Sequence, residues 1–173
     1  SGCYEGILER HDLLTGISRT VSVWPDNPEG WAARELPYRF QWTFPIHISP
    51  HNNEKVYVGS QFVHQTTNGG QTWEVISPDL TTNDTNKQVV TGGLTTEDAS
   101  PTYNSVLFAI AESPISKGII WTGSHDGLVH VSTDEGVTWK NVTQNILCSH
   151  FFLKKYFLII SKAKVAPCPL LSK

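Results

Sequence analysis

The 173 residues are enough for one domain with a sizeable core, and their 16 acidic groups against 13 Lys/Arg give a formal charge of −3. The charge is uneven: residues 1–146 hold all 16 acids with 8 Lys/Arg, and residues 147–173 hold 5 Lys and no acid. A mildly acidic body without a basic stripe excludes a nucleic-acid backbone as partner. Cys3, Cys148 and Cys168 define no disulfide framework and no Cys-based metal site.

Residues 1–25 read as one hairpin, the outer half of a sheet unit whose first half is missing. Ser1-Gly2-Cys3-Tyr4 runs almost directly into a strand pattern, with no basic or apolar leader segment, as in a stretch cut from something longer. Glu5–Arg10 forms the first strand, Thr15-Gly16 ends the loop, and Ser18–Trp24 alternates β-branched with polar residues to give one buried and one wet face. Residues 26–43 are a connector punctuated by Pro28, Gly30 and Pro37, with at most a short helical turn over Gly30–Glu35. It ends in the densest aromatic cluster of the chain, Tyr38-Arg39-Phe40-Gln41-Trp42. Two readings stand here: an aromatic and cationic ligand platform made by Tyr38, Arg39, Phe40 and Trp42, or a loop packed between sheet units with Arg39 capping carbonyls.

Residues 44–80 and 106–144 are two copies of one unit. Ile46-His47-Ile48-Ser49-Pro50 matches Ile110-Ala111-Glu112-Ser113-Pro114, and Val56-Tyr57-Val58-Gly59-Ser60 matches Ile120-Trp121-Thr122-Gly123-Ser124, both at an offset of 64. A two-residue insertion around Asp126-Gly127 then shifts the offset to 66, where Thr66-Thr67-Asn68-Gly69-Gly70-Gln71-Thr72-Trp73 matches Ser132-Thr133-Asp134-Glu135-Gly136-Val137-Thr138-Trp139. In this octet a short side-chain carbonyl (Asn68, Asp134) can bond the amides ahead of it, and glycine (Gly70, Gly136) takes φ > 0 without a Cβ clash. The Thr-Trp that follows (Thr72, Trp73; Thr138, Trp139) suits a strand that buries its indole. Several short strands per unit, repeated at a period above ~40–50 residues, are the signature of propeller blades.

Residues 81–105 form a long polar loop, in which Thr81–Asn86 and Thr95–Ser100 read either as functional or as merely solvated. In residues 145–173 acids, Gly and Trp vanish and no third repeat begins. Phe151–Ile160 is too short for a membrane span, and its central Lys154-Lys155 break any clean amphipathic face, so an unstructured or non-native tail is expected. The carboxylates Asp12, Asp26, Asp79, Asp84, Glu97, Asp98, Glu112 and Asp126 sit mostly beside turn residues, the ordinary use of such groups, whereas a glycosidase needs two acids facing each other. Asn68 stands where Asp134 stands and cannot ionise. The seven His, including His47, His51, His64, His125 and His130, lack ligand spacing, and nucleophile and phosphate-loop motifs are absent. No catalytic residue, metal or cofactor is predicted. Asn83-Asp84-Thr85 and Asn141-Val142-Thr143 match the N-glycosylation pattern.

With these motifs in hand, residues 4–144 resemble the Asp-box (BNR-repeat) β-propellers. Gly16-x-x-Arg19, Trp24-Pro25, Tyr38–Trp42, Pro45-Ile46, Ser49-Pro50-His51 and Ile76–Thr81 are similar to the sortilin-type or glycosyl-hydrolase-like branch, related to the vacuolar sorting receptor domain. The resemblance implies an all-β propeller fragment: two four-stranded antiparallel blades, the outer hairpin of a third, and further blades as partners. It implies structural roles for the octets and an extracellular or periplasmic setting. Two functions follow: a non-catalytic scaffold for protein, peptide or carbohydrate ligands, or part of a xyloglucanase- or sialidase-like hydrolase with its acids elsewhere. No arginine triad for sialic acid is found among Arg10, Arg19, Arg34 and Arg39. Trp73 and Trp139 are expected to be buried at equivalent places in two blades.

Overall fold

A computed structural model describes residues 1–2, 6–25, 31–89 and 104–146. The chain divides into two compact units, Ser1–Thr143 and Gln144–Lys173; the expectations for residues 147–173 and for Thr95–Ser100 lie outside the described residues. Ten strands are described: β1 (Glu9–His11), β2 (Ser18–Thr20), β3 (Ile46–Ile48), β4 (Val56–Gly59), β5 (Val63–Thr66), β6 (Glu74–Val75), β7 (Leu107–Glu112), β8 (Ile120–Ser124), β9 (Val129–Ser132) and β10 (Lys140–Asn141). They form a β1-β2 hairpin and two four-stranded antiparallel meanders, β3-β4-β5-β6 and β7-β8-β9-β10. A four-stranded up-and-down meander is the form of a propeller blade, and the fold is all-β. No α-helix occurs among the described residues, and none of their helices is long and apolar enough to cross a membrane.

The two meanders share their turns. After β3, Ser49 N donates to Lys55 O at 2.9 Å, and after β7 Ser113 N donates to Ile119 O at 2.8 Å; the Ser49 and Ser113 hydroxyls accept from His51 N and Ile115 N. The next turn closes from Ser60 N to Phe62 O and from Ser124 N to Leu128 O, so the two extra residues lie inside that turn.

The hairpin follows the same plan. Val21, Ile76 and Val142 donate their amides to Leu8, Val63 and Val129 carbonyls at 2.8–2.9 Å, and Ser22, Ser77 and Thr143 hydroxyls accept from the amides of the same three residues. Gly2 also bridges Leu8 as Gly123 pairs Val129, and Gly6 (φ 89°) matches Gly127 (φ 91°) in the turn between them. β1 and β2 therefore stand where β5 and β6, or β9 and β10, stand in the complete sheets.

Two cores lie between successive units. Leu8, Phe40, Phe44 and Val58, with Val21, Val23 and Trp73 against them, join the hairpin to the first meander. Tyr57, Val63, Leu80, Leu107, Ile110 and Ile120, with Ile76 and Trp139, join the two meanders. Because β4 lies between two neighbours, both its faces are apolar and buried: Tyr57 belongs to one core and Val58 to the other.

Candidate functional site

The two octets fold alike. Thr66 Oγ1 donates to Asn68 Oδ1 (2.9 Å) and accepts from Gly70 N (3.0 Å), while Asn68 Oδ1 accepts from Thr72 N (3.0 Å). In the second, Ser132 Oγ donates to Asp134 Oδ1 (2.8 Å) and accepts from Gly136 N (2.8 Å), and Asp134 Oδ1 accepts from Thr138 N (2.8 Å). They differ in the partner of the Thr hydroxyl. Asn68 Nδ2 donates to Thr72 Oγ1 (2.8 Å), whereas Thr138 Oγ1 donates to Asp134 Oδ2 (2.6 Å). The side chain and then the backbone of Thr138 hold the Asp134 carboxyl below its ordinary value. An amide and a carboxylate serve equally because the turn needs only an oxygen acceptor.

Two consecutive residues in each turn are left-handed: Gly69 (φ 68°) and Gly70 (φ 85°), then Glu135 (φ 60°) and Gly136 (φ 95°). Glu135 occupies that region against its Cβ. Its carboxylate is held by Lys55 at 2.9 Å, from the edge of the first meander, and by Lys117 at 3.1 Å; the two ammonium groups lower its pKa.

Each octet ends in a tryptophan that reaches the preceding unit. Trp73 Nε1 donates to Val21 O at 3.0 Å, and Trp139 Nε1 donates to Ile76 O at 2.8 Å. Val21 and Ile76 are equivalent residues just after an outer strand, so one contact is made twice. Both indoles are partly buried rather than enclosed, because each lies beside the short outer strand where its sheet meets solvent.

The aromatic cluster does not form an exposed platform. Arg39 and Phe40 are buried, Tyr38 is partly buried and Trp42 is exposed. Arg39 Nε donates to Ser105 O (3.0 Å), its guanidinium pairs with Asp79 (2.8 Å), and its amide donates to Gln61 Oε1 (2.7 Å). Phe40 contacts Phe44 edge-on at 5.5 Å, and Tyr38 contacts His64 at 4.7 Å. The segment ties the connector to both meanders, since a planar guanidinium can satisfy several acceptors at once.

Several of the described carboxylates hold backbone turns or tie segments together. Asp12 accepts from Leu14 N and Thr15 N, and Asp84 from Asn86 N. Asp126 accepts from Thr82 N, from the Thr82 hydroxyl and from the Ser124 hydroxyl, so part of the Thr81–Asn86 segment is pinned to the second meander rather than simply solvated. Buried Glu112 accepts from Gly118 N at 2.9 Å and faces Tyr57 Oη at 3.4 Å; burial first, and this carboxylate second, push the Tyr57 phenol up. His47 Nε2 accepts from Glu112 N at 3.0 Å, and burial lowers its pKa. His64, buried beside Ser60 Oγ at 2.7 Å, is pushed down to about 4 by desolvation. No group of three or more His, Cys, Asp or Glu side chains able to hold a metal occurs among the described residues. Asp26, Glu97 and Asp98 lie outside them.

Sequence reading missed that Gly2 and Gly6, ahead of the first hairpin, match the end of the second strand and the turn that follows it in the complete sheets. The signal was present: Gly2-x-x-Glu5-Gly6-Ile7-Leu8 parallels Gly123-x-x-Asp126-Gly127-Leu128-Val129.

No family model matches the chain, and no curated protein matches it. Two solved structures are similar in part. A GH74 enzyme of Niastella koreensis is 14% identical over 85% of this chain and 33% of its own, with a TM-score of 0.30. YCF48 from Cyanidioschyzon merolae is 16% identical over 66% of this chain and 45% of its own, with a TM-score of 0.23. The chain spans less than half the length of either.

Proposed function

We propose that residues 1–144 are a stretch of an Asp-box β-propeller that acts as a non-catalytic scaffold in a larger sortilin-type or glycosyl-hydrolase-like protein, holding a protein, peptide or glycan ligand. The observation that carries this reading is the contact made twice, Trp73 to Val21 and Trp139 to Ile76. The most distinctive residues of the repeat are committed to stacking one sheet on the next. Asn68 and Asp134 accept equivalent turn hydrogen bonds, which supports an architectural role for the octets over acid–base chemistry. The commitment of Asp79 to Arg39, Asp126 to Thr82 and Glu112 to Gly118 supports the same reading, because a catalytic acid pair needs carboxyls free to meet a substrate.

The purified chain, incubated with aryl glycosides and xyloglucan oligosaccharides, is expected to give no turnover above buffer. Turnover abolished by changing one named carboxylate would overturn the non-catalytic reading in favour of a hydrolase.

A further inference from the structure

We propose that the β1–β2 turn is a tip that seats the protein on an anionic lipid surface, with Leu13 and Leu14 entering the acyl boundary and Arg10 and Arg19 held at the headgroups. This goes beyond the scaffold reading and does not depend on it.

The turn stands where the octets stand, yet it has abandoned them. The same span separates Leu8 from Val21, Val63 from Ile76 and Val129 from Val142, pairs joined by equivalent backbone hydrogen bonds. Counted along that span, Leu13 takes the place of Asn68 and Asp134, Leu14 of Gly69 and Glu135, Thr15 of Gly70 and Gly136, and Ser18 of Trp73 and Trp139. A different device closes the turn. Asp12 Oδ1 accepts from Leu14 N (2.9 Å) and Thr15 N (3.2 Å), Gly16 N donates to Asp12 O (2.8 Å), and Gly16 takes the left-handed φ of 69°. Asp12 and Gly16 thus supply the turn, while Leu13 and Leu14 stand in water, 95% and 98% exposed. Two leucines there add no stability to a turn that a polar octet makes twice elsewhere, and such exposed apolar groups mark an interaction surface.

Behind the tip, Arg10 and Arg19 are directly opposite on β1 and β2 and both are exposed, although like charges across a strand pair weaken it. Among the described residues neither enters an ion pair. The acids beside them are engaged otherwise, Glu9 with His11 and Asp12 with the turn amides. An aliphatic tip with a collar of guanidinium groups is the pattern of an interfacial anchor, whose apolar end buries while the long cationic stems keep their charges at anionic headgroups.

The other exposed tips favour a lipid surface over a protein cleft. The Arg10 guanidinium lies over Gly69 of the first octet, and Lys55 and Lys117 both reach Glu135 of the second, so these turns share one end of the sheets. That end also carries Ile115, in the β7–β8 turn and 91% exposed, and Val137, in the second octet and 81% exposed. These tips are convex and belong to different units. A protein would need a separate pocket for each, whereas a lipid surface admits protruding side chains anywhere along it.

The test floats the full chain with vesicles of phosphatidylcholine alone and of roughly 4:1 phosphatidylcholine and phosphatidylserine. The chain is expected to bind the mixed vesicles more tightly. Leu13→Asn with Leu14→Gly, the residues of the first octet, should lower that partition about tenfold or more and leave the urea midpoint unchanged. Should the pair lower the midpoint, Leu14→Gln, which keeps Asp12 and Gly16 in place, repeats the test. Arg10→Gln with Arg19→Gln should cost about fivefold per charge on the mixed vesicles and nothing on phosphatidylcholine alone. Failure of the unsubstituted chain to bind either vesicle overturns the proposal and leaves the tip to a protein partner. So does binding that survives the leucine substitutions, which would place the lipid contact elsewhere, as in residues 151–160. Association without vesicles that the same substitutions abolish also overturns it, because a second copy would then cover the tip. Vesicle binding and glycoside turnover are read separately, so either reading can fail without the other.

Discussion

The two meanders are built from matching residues, yet they differ in what covers them. β4 has a neighbour on each side: Tyr57 and Val58 are successive residues and both are almost completely buried. Among the described residues β8 has a packed sheet on one side only; Ile120 and Thr122 are buried while Trp121 between them is exposed. In a stacked array a residue's burial is set by the next unit and not by its own side chain, which is the expected behaviour of repeats that interact through nearest neighbours. The larger and more apolar indole is therefore the more exposed of the pair.

The largest expected effect separates those two aromatics. Tyr57→Ala should empty a filled site and cost about 4 kcal/mol, the usual scale for a large buried ring, whereas Trp121→Ala should cost about 1 kcal/mol or less. Urea midpoints of the two variants measure the difference, and equal losses would mean that the outer face of β8 is covered.

A second contrast lies in the equivalent histidines His64 and His130. His64 lies among Tyr38, Phe40 and Phe62 and titrates near 4 when folded, against an ordinary value of 6.5. Its folded pKa is depressed, so the unfolded chain binds the proton more readily. Stability is complete above pH 6.5 and falls as the pH drops from 6.5 to about 4, by about 3 kcal/mol across that window. Burial lowers His130 too, but the Asp126 charge opposes it, so replacing His64 by a neutral residue should remove most of the acid-side loss and replacing His130 should remove less. Unfolding free energies between pH 4 and pH 7 for the two variants check this.

The glycines sharpen the comparison at smaller scale. Gly59→Ala sets a methyl 2.7 Å from Pro45 Cγ and 3.1 Å from Leu107 and Ile110. Overpacking of this kind costs about 1–3 kcal/mol, and thermal unfolding would show it as a lowered midpoint. Among the described residues a methyl at Gly123 would meet only Ala109 Cβ, at 4.0 Å, an ordinary van der Waals contact, so Gly123→Ala should leave the midpoint within error.

The smallest effect concerns the turns. Asp134 is held below its ordinary pKa, so the stability it contributes is present above the ordinary value and is lost as pH falls through the folded one. Asn68 has no such dependence. Asp134→Asn should flatten the acid limb of the stability profile slightly, while Asn68→Asp should add to it; calorimetry below pH 5 distinguishes the two.

Much of the architecture was legible because its causes are local. An Asn or Asp oxygen, a glycine two residues on and a Thr-Trp dictate a turn from within eight residues, and the offsets of 64 and 66 fix which strands correspond. The left-handed pair of the second turn includes Glu135, where no glycine announces it; two lysines from separate parts of the chain hold that residue, and such partners are not adjacent in sequence. The same limit explains the aromatic cluster. From sequence Tyr38-Arg39-Phe40-Gln41-Trp42 reads as packing before platform, and which of the two holds depends on what lies across from it, here Ser105, Asp79 and Gln61.

The sequence by itself determined the repeat turns and which strands of the two meanders correspond, since hydrogen bonding and φ preference act between near neighbours, whereas in the first hairpin the strands shorten to Glu9–His11 and Ser18–Thr20 and the second is exposed on both faces. Only the tertiary structure decided that Ile46 and Ile110 fill the holes at Gly2 and Gly59, that Tyr57 is enclosed, and that Gly123 and Trp121 face outward. Burial is a property of the neighbour brought across in space, and no residue carries that information alone.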